Sequence, residues 1–234
     1  MYEAFSANYD RFVNWEDRLA YELPFINDQI ASLQRTPAQA LSILDAACGT
    51  GMHAIALAGA GHHVSGADLF PQMIEKAELN ASTAGVKVSF KAAGLGDLFS
   101  AFEGEQFDLV LCLGNSLPHL LSEHEIINAL VDFAAVLHQG GMLLIQNRNF
   151  DAVMRREERW MEPQTFRDAE GEWIFQRFYD FLPGGLIRFN IVTLKQSGDS
   201  GWQSAVTSTL LRAQLHAELE QALIDTGFNT IRAY

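Results

Sequence analysis

A glycine turn and three acids are the residues whose types and spacing could do chemistry. Asp45-Ala46-Ala47-Cys48-Gly49-Thr50-Gly51 ends a short apolar run and precedes a helical pattern. A strand, a glycine turn and a helix let the backbone approach a nucleotide-like ligand closely, because glycine lacks a Cβ and tolerates positive φ. The turn alone does not choose a ligand, since Gly49-Thr50-Gly51-Met52-His53-Ala54 also fits the dinucleotide pattern GxGxxA. The acids separate the readings. Asp45, four residues before the first glycine, attracts a cationic ammonium and disfavours a pyrophosphate. Asp68, 17 residues past Gly51, can accept protons from both ribose hydroxyls of either ligand. Asp97, in Gly94-Leu95-Gly96-Asp97-Leu98, can accept from an adenine amino group. A cationic end, a ribose and an adenine together describe S-adenosylmethionine (SAM) better than NAD.

The elements that must position these residues follow from the apolar pattern. Leu19, Leu23, Ile26, Ile30 and Leu33 recur at three-to-four spacing, which predicts an amphipathic helix over 16–35. Strands are expected at 41–47, His63–Asp68, Val86–Lys91, Phe107–Leu113 and Met142–Asn147. Helices are expected at 52–60, from Pro71 to about Ala84, and over Glu123–His138, stopped by Gly140-Gly141. Strands that are apolar nearly throughout, alternating with helices, predict a mostly parallel sheet covered on both faces. The alternation then breaks. Trp173–Phe181, Leu186–Lys195 and Trp202–Leu211 read as strands joined by Pro183-Gly184-Gly185 and the turn at 197–201, an antiparallel β insertion. A last helix spans 214–226, and a strand is expected from Phe228. The division is a helical lid at 1–40, a Rossmann-like core at 41–150, the antiparallel insertion at 151–211 as a substrate cover, and a helix and strand at 212–234 completing the core.

Bulk properties narrow the partners. The 234 residues suit one large α/β domain, and 48% hydrophobic against 19% charged residues gives enough apolar side chain for a packed core. A formal charge of −13 disfavours nucleic acid and anionic membranes. Cys48 and Cys112 form no CxxC pair, so zinc is not indicated and no metal is expected. They read as reduced, buried thiols of a cytoplasmic protein. No basic segment precedes an apolar stretch at the start, and no apolar run reaches the ~18 residues of a membrane span. A small-molecule substrate is the expected partner, and the chain is compatible with a monomer or a dimer.

The residues around the turn, over about 5–150, resemble the class I SAM-dependent methyltransferases. The resemblance implies that Ala47, Gly49, Gly51, Leu69, Met73, Gly96, Leu98, Leu113 and Gly114 line the cofactor with Asp45, Asp68 and Asp97. Two further segments, Leu111–Leu120 and Asn147-Arg148-Asn149-Phe150-Asp151, resemble glycine N-methyltransferase. There the resemblance makes Arg148 a carboxylate fork and places Asn115 and His119 beside the substrate. Guanidinium suits that role through two parallel hydrogen bonds. The segment Tyr9–Arg18 resembles the lid of small-molecule methyltransferases, which implies that Arg18 pairs with the SAM carboxylate and that Tyr9 and Trp15 border the methyl region. Aromatic faces suit a sulfonium. The chain lacks the longer N-terminal arm of glycine N-methyltransferase, so that family's tetramer is not expected. A seventh strand is missing from the pattern.

The implied reaction is an in-line displacement at the SAM methyl carbon, with positioning as the main task. The resemblance makes the acceptor the amine of a carboxylate-bearing, amino acid-like molecule of the glycine/sarcosine type. Tyr9 and His119 are the candidate bases, alongside Asn115 and Arg148 as catalytic-site residues. An O- or S-methyltransferase uses the same frame, and a nicotinamide oxidoreductase or a catalytically silent SAM-binding protein are the readings from other classes.

Overall fold

The computed structural model describes residues 9–34, 36, 39–196, 198 and 201–234. The parts of the expected lid at 1–8, 35, 37 and 38, and of the turn at 197, 199 and 200, lie outside the described residues. Two helices open the chain, α1 (Tyr9–Phe12) and α2 (Trp15–Leu33). Asn14 caps α2, its side chain accepting from the Asp17 amide at 3.2 Å.

The main sheet is five-stranded and wholly parallel, in the order β3-β2-β1-β4-β5. Its strands are β1 (Ser42–Ala46), β2 (His63–Asp68), β3 (Ser89–Ala92), β4 (Phe107–Cys112) and β5 (Leu137–Ile145). The helices of this half are α3 (Met52–Gly59), α4 (Pro71–Ala84), α5 (Leu98–Ala101) and α6 (Glu123–Val136). Alternation along the central strands feeds two cores. Ile43, Leu109 and Leu111 pack with Ile26 and Ile30 of α2 and Ala54 and Leu57 of α3. Leu44, Ala46, Val110 and Cys112 pack with Leu130 and Phe133 of α6. Both faces are thus buried, which is why β1 and β4 read as unbroken apolar runs. The strand order reverses between β1 and β4, so the crevice beyond their carboxyl ends is where such a sheet takes a ligand.

The largest departures from the sequence reading fall in three regions. The helix expected to reach His138 ends at Val136, because Leu137 already pairs with Phe107. Gly140, at φ 82°, then carries a bulge before Met142 resumes pairing with Leu109. The third strand begins at Ser89 rather than Val86, whose amide caps α4 by bonding the Ala81 carbonyl. The strand expected from Phe228 does not form. Helix α8 (His216–Asp225) instead ends in a Schellman motif, with Gly227 at φ 102°, Gly227 N–H on the Ile224 carbonyl and Phe228 N–H on that of Leu223. Phe228 packs on the core as the hydrophobic contact of that cap. Among the described residues the parallel sheet therefore ends at β5, and neither a sixth nor a seventh strand is present.

The second sheet is antiparallel, in the order β6 (Gln164–Asp168), β7 (Gly171–Phe181), β8 (Leu186–Gln196) and β9 (Trp202–Arg212). The strand β6 and the helix α7 (Phe150–Arg156) were not legible in the pattern. Trp173, Phe175 and Ile191 pack with Tyr9 and Phe12 of α1. Tyr179, Ile187 and Leu211 pack with Phe150 and Val153 of α7. The alternating aromatic residues of the insertion therefore face α1 and α7. Among the described residues no helix is long and apolar enough to cross a membrane, and no His/Cys/Asp/Glu group could hold a metal ion.

Candidate active site

The turn after β1 is tightly held. Ala47, Gly49 and Gly51 have positive φ of 63°, 56° and 80°. At Gly51 a Cβ would stand 2.8 Å from the Phe90 ring and 2.9 Å from Ala77, so only glycine fits. The Gly49 amide donates to the Asp68 carboxylate at 2.9 Å, and the Phe70 amide donates to its other oxygen at 3.0 Å. Burial raises the Asp68 carboxyl, against the pull of these two amides. Asp68 thus joins the ends of β1 and β2 and keeps lone pairs for ribose hydroxyls.

Asp45 is 2% exposed, and its Oδ2 is buried with no hydrogen-bond partner. Burial pushes its carboxyl up to about 6, against the nearby His53 and Arg18 charges. A buried acceptor left open is costly, and a ligand cation is the group that would recover that cost. Asp45 borders a small cavity of about 20 Å³ with Tyr9, Trp15, Arg18, Ala47, Cys48, His53, Leu113, Gly114 and Ser116. The lid residues fill this space. The Tyr9 ring lies 3.5 Å from where a Gly49 Cβ would stand, and the Arg18 guanidinium lies 2.9 Å from the corresponding point at Gly114. Trp15 sits between Tyr9, tilted at 51°, and His53, edge-on at 82°, at 6.2 and 5.7 Å between ring centres, with Arg18 5.1 Å over its ring. Burial raises the Tyr9 phenol. A larger hollow of about 680 Å³, lined by Ser42, His62, His63 and Lys87, lies at the amino ends of the strands, away from all of these residues.

The residues expected beside adenine lie at the ends of β2 and β3. Leu69 Cδ1 and Asp97 Oδ2 lie 3.2 and 3.8 Å from where a Gly94 Cβ would stand, so both border one backbone stretch. Leu69 is 64% exposed, whereas Met73 and Leu98 are buried in the core. Gly96, at φ 106°, turns the loop. Sequence reasoning missed what holds it. Asp132 of α6, 7% exposed, accepts from the amides of Gly96, Leu98 and Phe99 at 3.2, 2.7 and 2.9 Å. The available signal was an acid on the core-facing side of an apolar helix.

Asn115, His119 and Arg148, expected beside the substrate, lie beyond β4 and β5. Asn115 is at φ 67°, a conformation asparagine tolerates better than most side chains. Its side-chain oxygen accepts from the Arg148 amide at 3.1 Å, so it fixes the start of the Arg148 loop instead of capping a helix. The Arg148 guanidinium lies 5.7 Å over the Tyr179 ring. His119 ends the short 3₁₀ turn Leu117–His119, and burial lowers its imidazole to about 4.

A hub at Glu22 also escaped the sequence reading, since Arg18 and Glu22 at i,i+4 look like an ordinary surface pair. The Glu22 carboxylate takes Arg18 Nε at 3.0 Å, His53 Nε2 at 2.7 Å and Gln146 Nε2 at 2.7 Å. Gln146 in turn accepts from the Gly114 amide at 2.9 Å. Burial would raise Glu22, but the His53 and Gln146 hydrogen bonds and the Arg18 charge outweigh it and bring it down to about 2. One carboxylate therefore ties α2 to the ends of β4 and β5 and to α3.

Comparison with known proteins agrees with this fold. A methyltransferase-domain family profile matches residues 43–141. The chain is 36% identical over 203 residues to a glycine/sarcosine N-methyltransferase of Parasynechococcus marenigrum, covering 82% of this chain and 70% of that protein. It is 31% identical over 204 residues to the glycine/sarcosine N-methyltransferase of Aphanothece halophytica, covering 83% and 74%. Its fold is similar to that of a SAM-bound amino pentose methyltransferase from Micromonospora echinaspora, with a TM-score of 0.72 at 23% identity over 97% of this chain and 89% of that one.

Proposed function

The chain belongs to the class I SAM-dependent methyltransferases, and from that premise we propose that it methylates the amine of a small, carboxylate-bearing acceptor of the amino-acid type. The nicotinamide reading left open by the glycine turn falls with the family. When bound, SAM supplies an electrophilic methyl carbon on its sulfonium. The residues around the glycine turn fit it. Asp45, with its unpartnered buried oxygen, and Arg18 suit the ammonium and carboxylate of the methionine end. Asp68 suits the ribose, Asp97 and Leu69 the adenine.

One observation carries the acceptor class. Arg148 stands beyond the carboxyl ends of β4 and β5, its backbone pinned by Asn115, and its guanidinium forms no ion pair among the described residues. A guanidinium so placed suits a carboxylate through two parallel hydrogen bonds. The glycine/sarcosine N-methyltransferase relatives support the same class. The remaining work is orientation. The Tyr9 phenol stays protonated and can donate. The His119 imidazole, with its proton affinity lowered by burial, is neutral near pH 7 and accepts a hydrogen bond from the amine better than it takes a proton. The amine then loses its proton on leaving water, and alignment supplies most of the rate.

The test is a metabolite screen with SAM and mass detection of a gain of about 14 daltons, followed by Arg148→Ala. The variant should raise acceptor KM steeply while S-adenosylhomocysteine affinity stays within about twofold. Equal loss of both affinities would sink the carboxylate assignment.

A further inference from the structure

The antiparallel sheet sets a second arginine beside the first. Along β7 the odd-numbered side chains Trp173, Phe175, Arg177 and Tyr179 share the face that meets α1 and α7. Arg177 stands between Phe175, whose ring meets Phe12 at 5.5 Å, and Tyr179, over which Arg148 lies. Its own guanidinium is 5.3 Å from the Phe12 ring centre. Burial, and then the nearby Arg148 charge, lower its proton affinity. Neither guanidinium meets a carboxylate among the described residues. The hydrogen bond Arg177 makes is a long one, 3.4 Å from Nη2 to the Glu162 carbonyl, and its Nε is buried without a partner. The nearest acid along the strand, Asp180, belongs to the other face and is already engaged by Arg159 and Asn190.

Arg177, partly buried, gives up hydration beside the exposed Arg148 charge, and among the described residues no counter-charge offsets either cost. An anionic ligand would offset both costs. We propose that Arg177 is a second anion anchor in the acceptor site, and that the acceptor carries two acidic groups beside its amine, as an amino dicarboxylate does. This rests on reading Arg148 as a carboxylate fork. One carboxylate would leave one positive charge uncompensated, whereas two neutralise the pair. Arg148, the more exposed of the two, holds one group, and Arg177, deeper and under Phe12, holds the other.

The full chain, saturated with S-adenosylhomocysteine, is titrated calorimetrically with glycine, which has one carboxylate, and with L-aspartate and iminodiacetate, which have two and are termed dianions for that carboxylate pair. At least one dianion should bind about tenfold or more tighter than glycine. Arg177→Met should erase that advantage while glycine and S-adenosylhomocysteine affinities change less than about threefold. Arg177→Lys, which keeps the charge and the stem, should restore part of it and serves if the methionine variant unfolds. Glycine binding as tightly as both dianions, no binding of either dianion, or an unchanged dianion advantage in Arg177→Met each overturns the proposal. The underlying reading fails separately, when Arg148→Ala leaves glycine and dianion binding alike unchanged.

Discussion

The Thr50 hydroxyl donates to the Asp10 carboxylate at 2.7 Å, which fastens the four-residue helix α1 to the glycine turn. The same carboxylate takes Trp15 Nε1 at 2.9 Å and Lys76 Nζ at 3.1 Å. The next residue, Arg11, reaches the other way, to Asp168 at 2.9 Å and Glu170 at 2.8 Å on the antiparallel sheet. Helix α1 therefore clasps the two sheets together over the cavity. That cavity, about 20 Å³, is far below the roughly 300 Å³ at which ligand pockets begin. A cofactor taken up at this cavity would enter and leave only with α1 lifted.

Breaking the clasp should speed exit. The Thr50–Asp10 bond is charge-assisted and partly buried, worth about 1.5–3 kcal/mol. Thr50→Val and Asp10→Asn should each raise the S-adenosylhomocysteine dissociation rate about tenfold, read by stopped-flow tryptophan fluorescence. The double variant should be no faster than Asp10→Asn alone, since that change already weakens the Thr50 bond along with those to Trp15 and Lys76. Unchanged release rates in both variants would mean that α1 is held by other contacts.

Much of this site was legible because its physics is local. A turn that needs positive φ and close approach shows as Gly49 and Gly51, and a strand buried on both faces shows as the apolar run around Leu109 and Leu111. What stayed hidden depends on partners far apart in sequence. Glu22 meets Gln146 across 124 residues, and Asp132 meets Leu98 across 34. Nothing in either neighbourhood announces the partner. The strand β6 was hidden for a similar reason. Its Gln-Thr-Phe-Arg-Asp has no apolar face of its own and forms by pairing with β7. Phe228 misled because one apolar residue after Gly227 fits a strand start as well as a helix cap.

Glu22 sets an acid limit on the lid. Its folded pKa of about 2 lies below its ordinary 4.5. A depressed carboxyl contributes stability that is complete above about 4.5 and is lost as pH falls toward 2. Glu22→Gln should cost on the order of 2–3 kcal/mol at pH 7 in denaturant unfolding, and the gap to the parent should shrink as pH falls below about 4.5 and close only near pH 2. A constant gap between parent and variant from pH 7 to pH 2.5 would remove Glu22 as the cause.

Asp132 should control the adenine loop without touching the ligand. Asp132→Ala leaves three amides without their acceptor, at a cost of about 1–3 kcal/mol each if none finds water. The expected result is a Tm lower by several degrees, faster amide exchange confined to 96–99, and weaker S-adenosylhomocysteine binding. Unchanged exchange in that loop would show that the strand ends position Asp97 unaided.

Asp45 should trade stability for binding. Its folded pKa of about 6 lies above its ordinary 3.8, the reverse of a paired carboxylate. A raised carboxyl costs nothing below about 3.8, and the cost grows through the interval to 6 and is constant above it. At pH 7 the cofactor-free protein therefore carries roughly 2–3 kcal/mol of strain at this one side chain. Asp45→Asn should melt higher than the parent at pH 7, with the difference vanishing near pH 4. A ligand ammonium held beside the carboxylate would bring its pKa down in the complex, so binding expels a proton below pH 6. S-adenosylhomocysteine affinity should fall as pH drops from 7 to 5 in the parent and stay flat in Asp45→Asn, where it is weaker throughout. Calorimetry in buffers of different ionisation heats reads that proton directly. No proton release at pH 5.5 would separate Asp45 from the ligand's charged end and return its open oxygen to a purely structural cause.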